Sequence, residues 1–486
     1  MRTGETRSSS QEESAILQLD EFEHGKAGLR KTDTASRVVE VGMVGTFDIE
    51  NYGDLLFPLI AAEALRRRDQ CIRVVPFSAN GRSEPGWPFL VRPVEEMAGC
   101  LSKLSAMLIG GGQILRFDKF YPVGVPASAD IPIAYWLVPA VQAALAGKPV
   151  IWNAVGAWTG SPRSAWHEEL LRQVLAASCF IGVRDAASVD YLARIAPDAG
   201  IEFLPDTAFG LSRLWPLEQE STGFTNWRRS LGLDGKYIVI QANAALGCYR
   251  STIESQMQSA AISGVVLPVC WCHGDRAEEF PEMKGRVFSS RQWLPPKLIS
   301  EIIGRSEFVF ASSLHTCITA ISYGVPVARA QLYSERKYEL LDGFEGIVHI
   351  NDRNAVSRLL RRGRRTEPKV KDYADQLDRY WDKVRDLALQ PPVEHCDRSR
   401  SLMLCWVAKA CKRPRRLEVA QRLATILRKS LVRQFPLKRR VAIRHRLLLV
   451  SNWLALAFQY TARSRMSTRR AGRKAGDTGE AGCLRR

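Results

Sequence analysis

The chain has 486 residues, 46% of them apolar, so it can bury sizeable cores and its length predicts two or three domains. This composition excludes a chain that is disordered throughout. The net charge of +18 is a property of the C-terminal segment, because residues 401–486 carry 22 Lys and Arg against 3 Asp and Glu. Residues 1–400 are nearly neutral, so attraction to an anionic partner is expected from that segment alone.

Targeting signals and cysteines favour a cytoplasmic protein. Residues 1–36 are polar, lack the apolar core of a secretory signal and are interpreted as a disordered leader. No apolar run reaches the roughly 20 residues of a membrane span. The eleven cysteines are scattered, as in a reducing compartment. The run Cys270-Trp271-Cys272-His273 has no second ligand pair of zinc-type spacing, so we interpret it as the end of a buried strand and predict no metal.

Strand and helix patterns alternate through residues 37–211. A β-branched run at 38–44 precedes a helical pattern at 55–68. Further strands are predicted at 72–75, 106–109, 150–153, 180–183 and 201–204, and helices at 133–146 and 164–177. Because each strand must return through a crossover helix, the pairing should be parallel and the domain a doubly wound, Rossmann-like one.

A second alternation covers residues 236–390, after a linker at 212–235 that is rich in turn residues. Its strands are predicted at 237–241, 265–269, 308–311, 325–328 and 346–350, and a bridging helix at 369–389. Two such halves that face each other across a cleft form a GT-B-like α/β arrangement. Open parallel sheets bind ligands at the carboxyl ends of their strands, so the loops there are the candidate site.

The loop after the first strand carries the run ENYGD at residues 50–54. Gly53 permits close backbone approach to a ligand, and Asp54 can cap the following helix. Free amides at the helix start would suit a phosphate or carboxylate. An ordinary helix cap explains the same residues, and both interpretations stay open.

A glycine run follows the strand at 106–109. Gly110, Gly111 and Gly112, followed by Gln113, are predicted to form a floor without side chains on which a substrate lies, with a plain turn as the alternative. The run is not GxGxxG, and no acidic residue on the next strand argues for a nicotinamide cofactor.

Two charged residues lie at strand ends in the first half. Arg184 can grip a phosphate or carboxylate with two parallel hydrogen bonds, and a surface pair with Asp185 is the alternative. Asp206 follows the last strand of this half and is predicted to line the cleft.

The most informative loop follows the strand at 308–311. Ser312 and Ser313 supply hydroxyls, and His315 opens a helix, where an imidazole can bind an anion or transfer protons. A lone histidine is more often structural, but this one is predicted to face Arg184 across the cleft.

Together, ENYGD, GGGQ, VRDxxS, LPDTA and SSLHxxIxAxxYGxP resemble the ordered motif set of the polysaccharide pyruvyl transferase family over roughly residues 38–350. The resemblance implies phosphoenolpyruvate as donor, no cofactor, and a pyruvate ketal formed across two saccharide hydroxyls in exopolysaccharide or glycolipid biosynthesis. The predicted catalytic residues are His315, Arg184 and Asp54, and the predicted substrate-binding residues are Asn51, Gly53, Gly110, Gly111, Gly112, Gln113, Asp206, Ser312 and Ser313.

One position departs from the family pattern. Some members carry an arginine two residues before the histidine, where this chain has Ser313. If that arginine grips the donor phosphate, another basic residue such as Arg184, Arg250 or Lys337 must replace it. In the implied chemistry His315 protonates C3 of the donor or holds the departing phosphate, and Asp54 acts as base for the acceptor hydroxyl.

Residues 391–486 are predicted to form a basic helical tail, disordered from about residue 463. Apolar residues among Arg and Lys at 415–431 and 441–460 fit a helix on an anionic membrane surface, where a lipid-linked acceptor would lie. A helical hairpin packed on the body is the alternative, and nucleic-acid binding is disfavoured because no recognised module accompanies the charge.

Two other functions share these features. A GT-B nucleotide-sugar glycosyltransferase would use the same cleft, although the second half lacks a clear pattern for binding a base and diphosphate. A catalytically inactive binding or scaffold protein of the same fold is the second, and Ser313 is the reason to retain it.

Overall fold

A computed structural model describes residues 38–115, 133–157, 165–331 and 336–411. Their strands form two separate sheets, one of eight strands and one of six. The leader at 1–36 and the tail beyond residue 411 lie outside the described residues, as do the predictions made for them.

The first sheet has the strand order β3-β2-β1-β4-β6-β7-β8, with β5 beside β6. Neighbouring strands in it pair in parallel. The strands are β1 Val39–Val44, β2 Ile72–Ser78, β3 Arg92–Pro93, β4 Leu104–Ile109, β5 Gly112–Leu115, β6 Val150–Ala157, β7 Phe180–Val183 and β8 Ile201–Phe203.

The second sheet has the order β11-β10-β9-β12-β13-β14 and is also parallel. Its strands are β9 Tyr237–Gln241, β10 Ser263–Leu267, β11 Val287–Ser289, β12 Phe308–Ala311, β13 Val327–Arg329 and β14 Ile347–His349.

The helices lie mostly between successive strands, as parallel pairing requires. No helix in the described part of the chain is both long and apolar enough to cross a membrane. The helices are α1 Tyr52–Arg68, α2 Met97–Cys100, α3 Val138–Leu145, α4 Ala165–Ala176, α5 Ala186–Ile195, α6 Leu211–Leu214, α7 Thr222–Leu231, α8 Arg250–Ala260, α9 Pro296–Arg305, α10 Leu314–Ser322, α11 Arg353–Arg362, α12 Pro368–Leu389 and α13 Val393–Cys411.

Both faces of each sheet are covered by packed side chains. In β4, Leu108 belongs to one hydrophobic cluster while Met107 and Ile109 belong to another. In β9, Val239 and Ile240 divide between two clusters in the same way. Successive strand residues point to opposite faces, so this alternation confirms the predicted doubly wound α/β class with two Rossmann-like halves.

The bridging helix was predicted almost to its ends and returns the chain to the first sheet. On α12, the Tyr380 hydroxyl donates to Oδ1 of Asn153 in β6 at 2.9 Å. The next helix, α13, packs against α3 and α4, and Met403 on it is fully buried. The first residues of the predicted tail therefore form part of the folded body.

Three short strands were missed in the sequence. β3 has two residues, β11 has three, and β5 begins inside the glycine run that we interpreted as a floor or turn. Such short segments carry too few residues for a period-2 pattern. The predicted strand 325–328 starts later, at Val327, because Pro326 has no backbone N–H to add to the ladder.

Tyr52, the first residue of α1, joins the two halves. Its side chain is fully buried, and its hydroxyl lies 2.9 Å from the Ser300 hydroxyl on α9 and 2.8 Å from the Thr319 hydroxyl on α10. A buried phenol in this position links the first turn of α1 to two helices of the second half.

We expect Tyr52→Phe to lower the free energy of unfolding by about 1–3 kcal/mol, because it removes a buried hydroxyl from a bonded group of three. Urea unfolding of the purified protein measures this loss. Tyr373→Phe is the matched control, since the Tyr373 ring packs on Phe209 but its hydroxyl makes no hydrogen bond to a described residue. Equal effects of the two changes would contradict the expectation.

Candidate active site

The site lies where the carboxyl ends of the two sheets meet. In the first sheet β1 and β4 are neighbours, and the connection after β1 runs to one edge of the sheet while the connection after β4 runs to the other. In the second sheet, β9 and β12 are neighbours related in the same way. Such points open a crevice in which parallel sheets bind ligands. The two crevices are in contact, because the Tyr52 amide donates to the Val269 carbonyl at 2.9 Å.

Asn51 caps α1 and orients a carboxylate. Its Oδ1 accepts from the Gly53 amide at 3.2 Å, and its Nδ2 donates to Oδ2 of Asp54 at 2.8 Å. Asp54, to which the sequence assigned the cap, is already inside the helix, because α1 begins at Tyr52 rather than near Leu55. The Asp54 carboxylate is thereby directed by the cap instead of forming it.

His315, the second residue of α10, is enclosed by residues of the first half. A Cβ atom on Gly53 would lie 1.9 Å from the imidazole Nδ1, so only glycine leaves room for this ring. The ring of Phe57 meets the imidazole edge-on, with centroids 5.3 Å apart. The His315 side chain is 12% exposed, which leaves a narrow face toward the crevice.

Asp206 holds the other side of the imidazole. Its Oδ2 lies 3.3 Å from Nε2 of His315, which is an ion-pair distance without a well-formed hydrogen bond. The same oxygen accepts from Nη1 of Arg184 at 3.2 Å, and Oδ1 accepts from the Ala208 amide at 3.1 Å. Asp206 and Arg184 are 0% and 2% exposed. The predicted meeting of Arg184 and His315 occurs through Asp206.

Arg184 is therefore engaged inside the protein. A Cβ on Gly156 would lie 2.8 Å from its Nε, so the guanidinium runs close over the backbone of β6. Nε also lies 3.9 Å from Asp185, which is itself buried, so the alternative of a surface pair is wrong.

The two carboxylates of the site have opposite pKa shifts. Burial would raise the pKa of Asp206, but the nearby charges of His315 and Arg184 and the hydrogen bond from the Ala208 amide outweigh it and lower the pKa below 3.8. Burial raises the pKa of Asp54 above 3.8, against the opposing charge of His315. Asp206 is thus a fixed negative charge, and Asp54 is the stronger proton acceptor.

The glycine run packs under α1. Gly110 and Gly112 have φ angles of +87° and +79°, which favour glycine. A Cβ on Gly111 would lie 2.2 Å from the Phe57 ring, and one on Gly112 would lie 3.1 Å from Oδ1 of Asp54. The run supports Phe57 and Asp54. Next to it, Oε1 of Gln113 is buried without a hydrogen-bond partner among the described residues.

The two serines before His315 are held by Gln241 at the end of β9. The backbone amides of Ser312 and Ser313 both donate to Oε1 of Gln241 at 2.9 Å. Ser312 is buried, and its hydroxyl lies 3.3 Å from the same oxygen. Ser313 is partly exposed, and it makes no side-chain cap bond at the start of α10. Only Ser313 of this pair is placed to meet a ligand.

The two other basic residues considered as substitutes for the family arginine lie in different places. Arg250 pairs with Glu254 on the surface of α8 at 3.3 Å. Nζ of Lys337 lies 5.2 Å from the ring centre of Tyr338, whose hydroxyl donates to the Ser312 carbonyl at 2.9 Å, so Lys337 lies near the turn that leads into His315.

The loop after β10 also belongs to the site. The run Cys270–His273, interpreted from the sequence as the end of a buried strand, instead lies beyond β10, where Trp271–His273 form a short 3-10 turn. Sγ of Cys270 lies 3.4 Å from Sγ of Cys272, and the ligand atoms of these two residues and His273 lie within 4.8 Å of one another. The hydrogen bond with Cys270 is the main cause that lowers the pKa of Cys272 to about 6, and the hydrogen bond with His273 lowers it further. The only available signal was the clustering of Cys270, Cys272 and His273 after a predicted strand.

Comparison with known proteins gives a family but no near relative. A family model described as polysaccharide pyruvyl transferase matches residues 51–329. A search of curated protein sequences found no match.

Among solved structures, the UDP-GlcNAc 2-epimerase from Methanocaldococcus jannaschii is similar at 11% identity, covering 71% of this chain and 99% of its own, with a TM-score of 0.47. The UDP-GlcNAc 2-epimerase from Neisseria meningitidis bound to UDP-GlcNAc is 12% identical, covering 71% of this chain and 99% of its own, with a TM-score of 0.42. Anabaena Alr3699/HepE in complex with UDP-glucose is 11% identical, covering 75% of this chain and 99% of its own, with a TM-score of 0.37.

We expect Gly53→Ala to displace the His315 ring, because the added Cβ would overlap Nδ1. Imidazole resonances in NMR spectra of the protein should show His315 shifted while the fold is retained. Gly99→Ala is the matched control, since Gly99 lies in helix α2 and a Cβ there meets no atom within 4 Å. A His315 signal unchanged in Gly53→Ala would show that the close contact does not exist in solution.

Proposed function

The chain belongs to the polysaccharide pyruvyl transferase family, and from this premise we propose that it transfers a pyruvyl group from phosphoenolpyruvate to saccharide hydroxyls. The observation that carries the proposal is the contact of His315 with the buried carboxylate of Asp206 at 3.3 Å. A buried carboxylate at this distance fixes the position of the imidazole, and a positioned imidazole can transfer a proton to a bound substrate.

Donor binding requires cationic or amide groups for a carboxylate and a phosphate. The start of α10 supports this role, because Ser313 does not cap it and its first amides stay available to an anion. Lys337 lies against Tyr338, which bonds the Ser312 carbonyl, and is the better placed of Arg250 and Lys337 to substitute for the family arginine. Arg184 contributes through Asp206 and is not proposed to bind the donor phosphate.

In the proposed reaction His315 donates its proton to C3 of phosphoenolpyruvate, and C2 becomes electrophilic. An acceptor hydroxyl attacks C2 and gives up its proton to Asp54, which is oriented by Asn51. The bond from C2 to the phosphate oxygen then breaks, and phosphate leaves with the electron pair. A second hydroxyl of the saccharide adds to C2, gives its proton to the now neutral imidazole of His315 and closes the ketal. The scheme uses no cofactor.

Asp206 and Arg184 act as positioning residues in this scheme. Asp206 holds Nε2 of His315 at 3.3 Å, while the charge of Arg184 and the hydrogen bond from the Ala208 amide help to keep Asp206 ionised. Burial of the pair excludes water that would weaken these interactions.

The acceptor is proposed to be a saccharide or lipid-linked saccharide of exopolysaccharide biosynthesis, met at the cytoplasmic face of the membrane. The support is the strongly basic segment 401–486. Its described beginning, on α13, packs on the same half that carries Asp54 and the glycine run.

We expect His315→Ala to reduce acceptor-dependent phosphate release from phosphoenolpyruvate by about 10²–10⁴-fold, because it removes the proposed proton donor. The assay uses the full-length protein with a pool of cell-derived glycans and glycolipids. The matched control is His349→Ala, since His349 is exposed on β14. Absence of both phosphate release and phosphoenolpyruvate binding in calorimetry would reject the donor, and tight binding of a UDP-sugar instead would favour a glycosyltransferase.

We expect kcat/KM to fall as the pH is lowered through the raised pKa of Asp54, because the base must be ionised to accept the hydroxyl proton. Asp54→Asn should lower kcat/KM by about 10²–10⁴-fold and abolish this acidic limb. The pH dependence of kcat/KM measures both effects, with Asp198→Asn as the exposed control. An acidic limb that persists in Asp54→Asn would assign the base to another residue.

A further inference from the structure

The loop after β10 brings together two thiols and an imidazole that the proposed reaction does not use. Cys270 is buried, Cys272 is partly exposed and His273 is exposed, with all three ligand atoms within 4.8 Å of one another. A tetrahedral ion with bonds of about 2.3 Å to sulfur and about 2.1 Å to nitrogen needs separations of roughly 3.6–3.8 Å. Small side-chain rotations reach these distances from the 3.4 Å between the two sulfurs.

The backbone that presents these ligands is held by a buried carboxylate. Asp275 is 0% exposed, and its Oδ2 accepts from the amides of Val269 and Cys270 at 3.2 and 3.0 Å. The His273 amide donates to the Cys270 carbonyl at 3.1 Å and closes a tight turn. A metal site needs ligands fixed in this way before the ion arrives.

The first half of the protein also holds the loop. The Cys272 amide donates to the carbonyl of Glu50 at 3.4 Å, and Glu50 directly precedes Asn51, the cap of α1. Asn51 and Cys270 form an antiparallel bridge. Trp271, which lies between the two cysteines in the sequence, packs against Arg276, whose guanidinium is 4.8 Å from the centre of the Trp271 ring. The ligand turn is thus fixed from both halves.

We propose that Cys270, Cys272 and His273 bind one zinc ion at the edge of the crevice, with a fourth coordination position open to water or to a ligand oxygen. Two sulfurs and one imidazole nitrogen select a thiophilic ion over Mg²⁺ or Ca²⁺, which prefer oxygen. Three protein ligands with one open position are typical of zinc sites that bind a further molecule. The proposal does not depend on the donor or acceptor of the transferase reaction.

The test titrates zinc alone into the reduced, chelator-stripped full-length protein, in competition with a chromophoric chelator. We expect one equivalent to bind and an excess of Mg²⁺ to leave binding unchanged. Cys272→Ser and His273→Ala should each weaken zinc binding by more than about 100-fold. Loss of a residue that only hydrogen-bonds a metal ligand typically costs about tenfold to 100-fold, so a larger loss indicates a direct ligand. Cys405→Ser is the control, because Cys405 is exposed on α13.

Cobalt provides a second readout of ligand identity. Bound Co²⁺ should show a thiolate charge-transfer absorption in the wild type that weakens in Cys272→Ser and persists in Cys405→Ser. His273→Ala guards against loss of fold, since an exposed side chain can be removed without opening the core. Wild-type zinc affinity in both ligand variants would overturn the proposal. Mass spectrometry of the native protein provides a further check. A zinc-free protein that is lighter by two hydrogens because of a Cys270–Cys272 disulfide would also overturn the proposal.

Discussion

The confinement of the His315 imidazole is the constraint on which the site depends. The ring fits only because Gly53 has no side chain, and Phe57 and Asp206 close two further sides. These contacts come from the first half of the protein, while His315 belongs to the second. The relative position of α1 and α10 therefore determines the position of the His315 ring. Tyr52, one residue before Gly53, fastens the same two helices through its hydroxyl.

Buried charge gives this arrangement its electrostatic character. Asp206 has no exposed surface, so its charge must be compensated from within. It accepts hydrogen bonds from Arg184 and the Ala208 amide, and His315 lies at an ion-pair distance. Loss of one partner from such a group leaves an uncompensated charge, which destabilises a protein by about 3–5 kcal/mol. The same contacts that permit the burial of Asp206 also hold the imidazole, so the stability of this region and its proposed chemistry have a common origin.

A second buried carboxylate organises the opposite wall. Asp275 accepts hydrogen bonds from the amides of Val269 and Cys270 and from Nε2 of Gln241. The other side-chain atom of Gln241, Oε1, accepts from the amides of Ser312 and Ser313. The turn that carries Cys270 and the turn that leads into His315 are thus joined through one side chain. Gln241 thus gives the proposed zinc site a physical connection to the candidate site around His315.

The sequence by itself determined the doubly wound class, the two alternations and the loops that carry the site, because β-branched runs, helical periodicity and strand-end motifs are local patterns. It also singled out His315, Arg184 and Asp54. Only the tertiary structure decided that Arg184 is buried behind Asp206, that Asn51 rather than Asp54 caps α1, and that Cys272 lies in the crevice. These outcomes depend on contacts between residues far apart in the chain, on which burial and pKa depend and which no local pattern encodes.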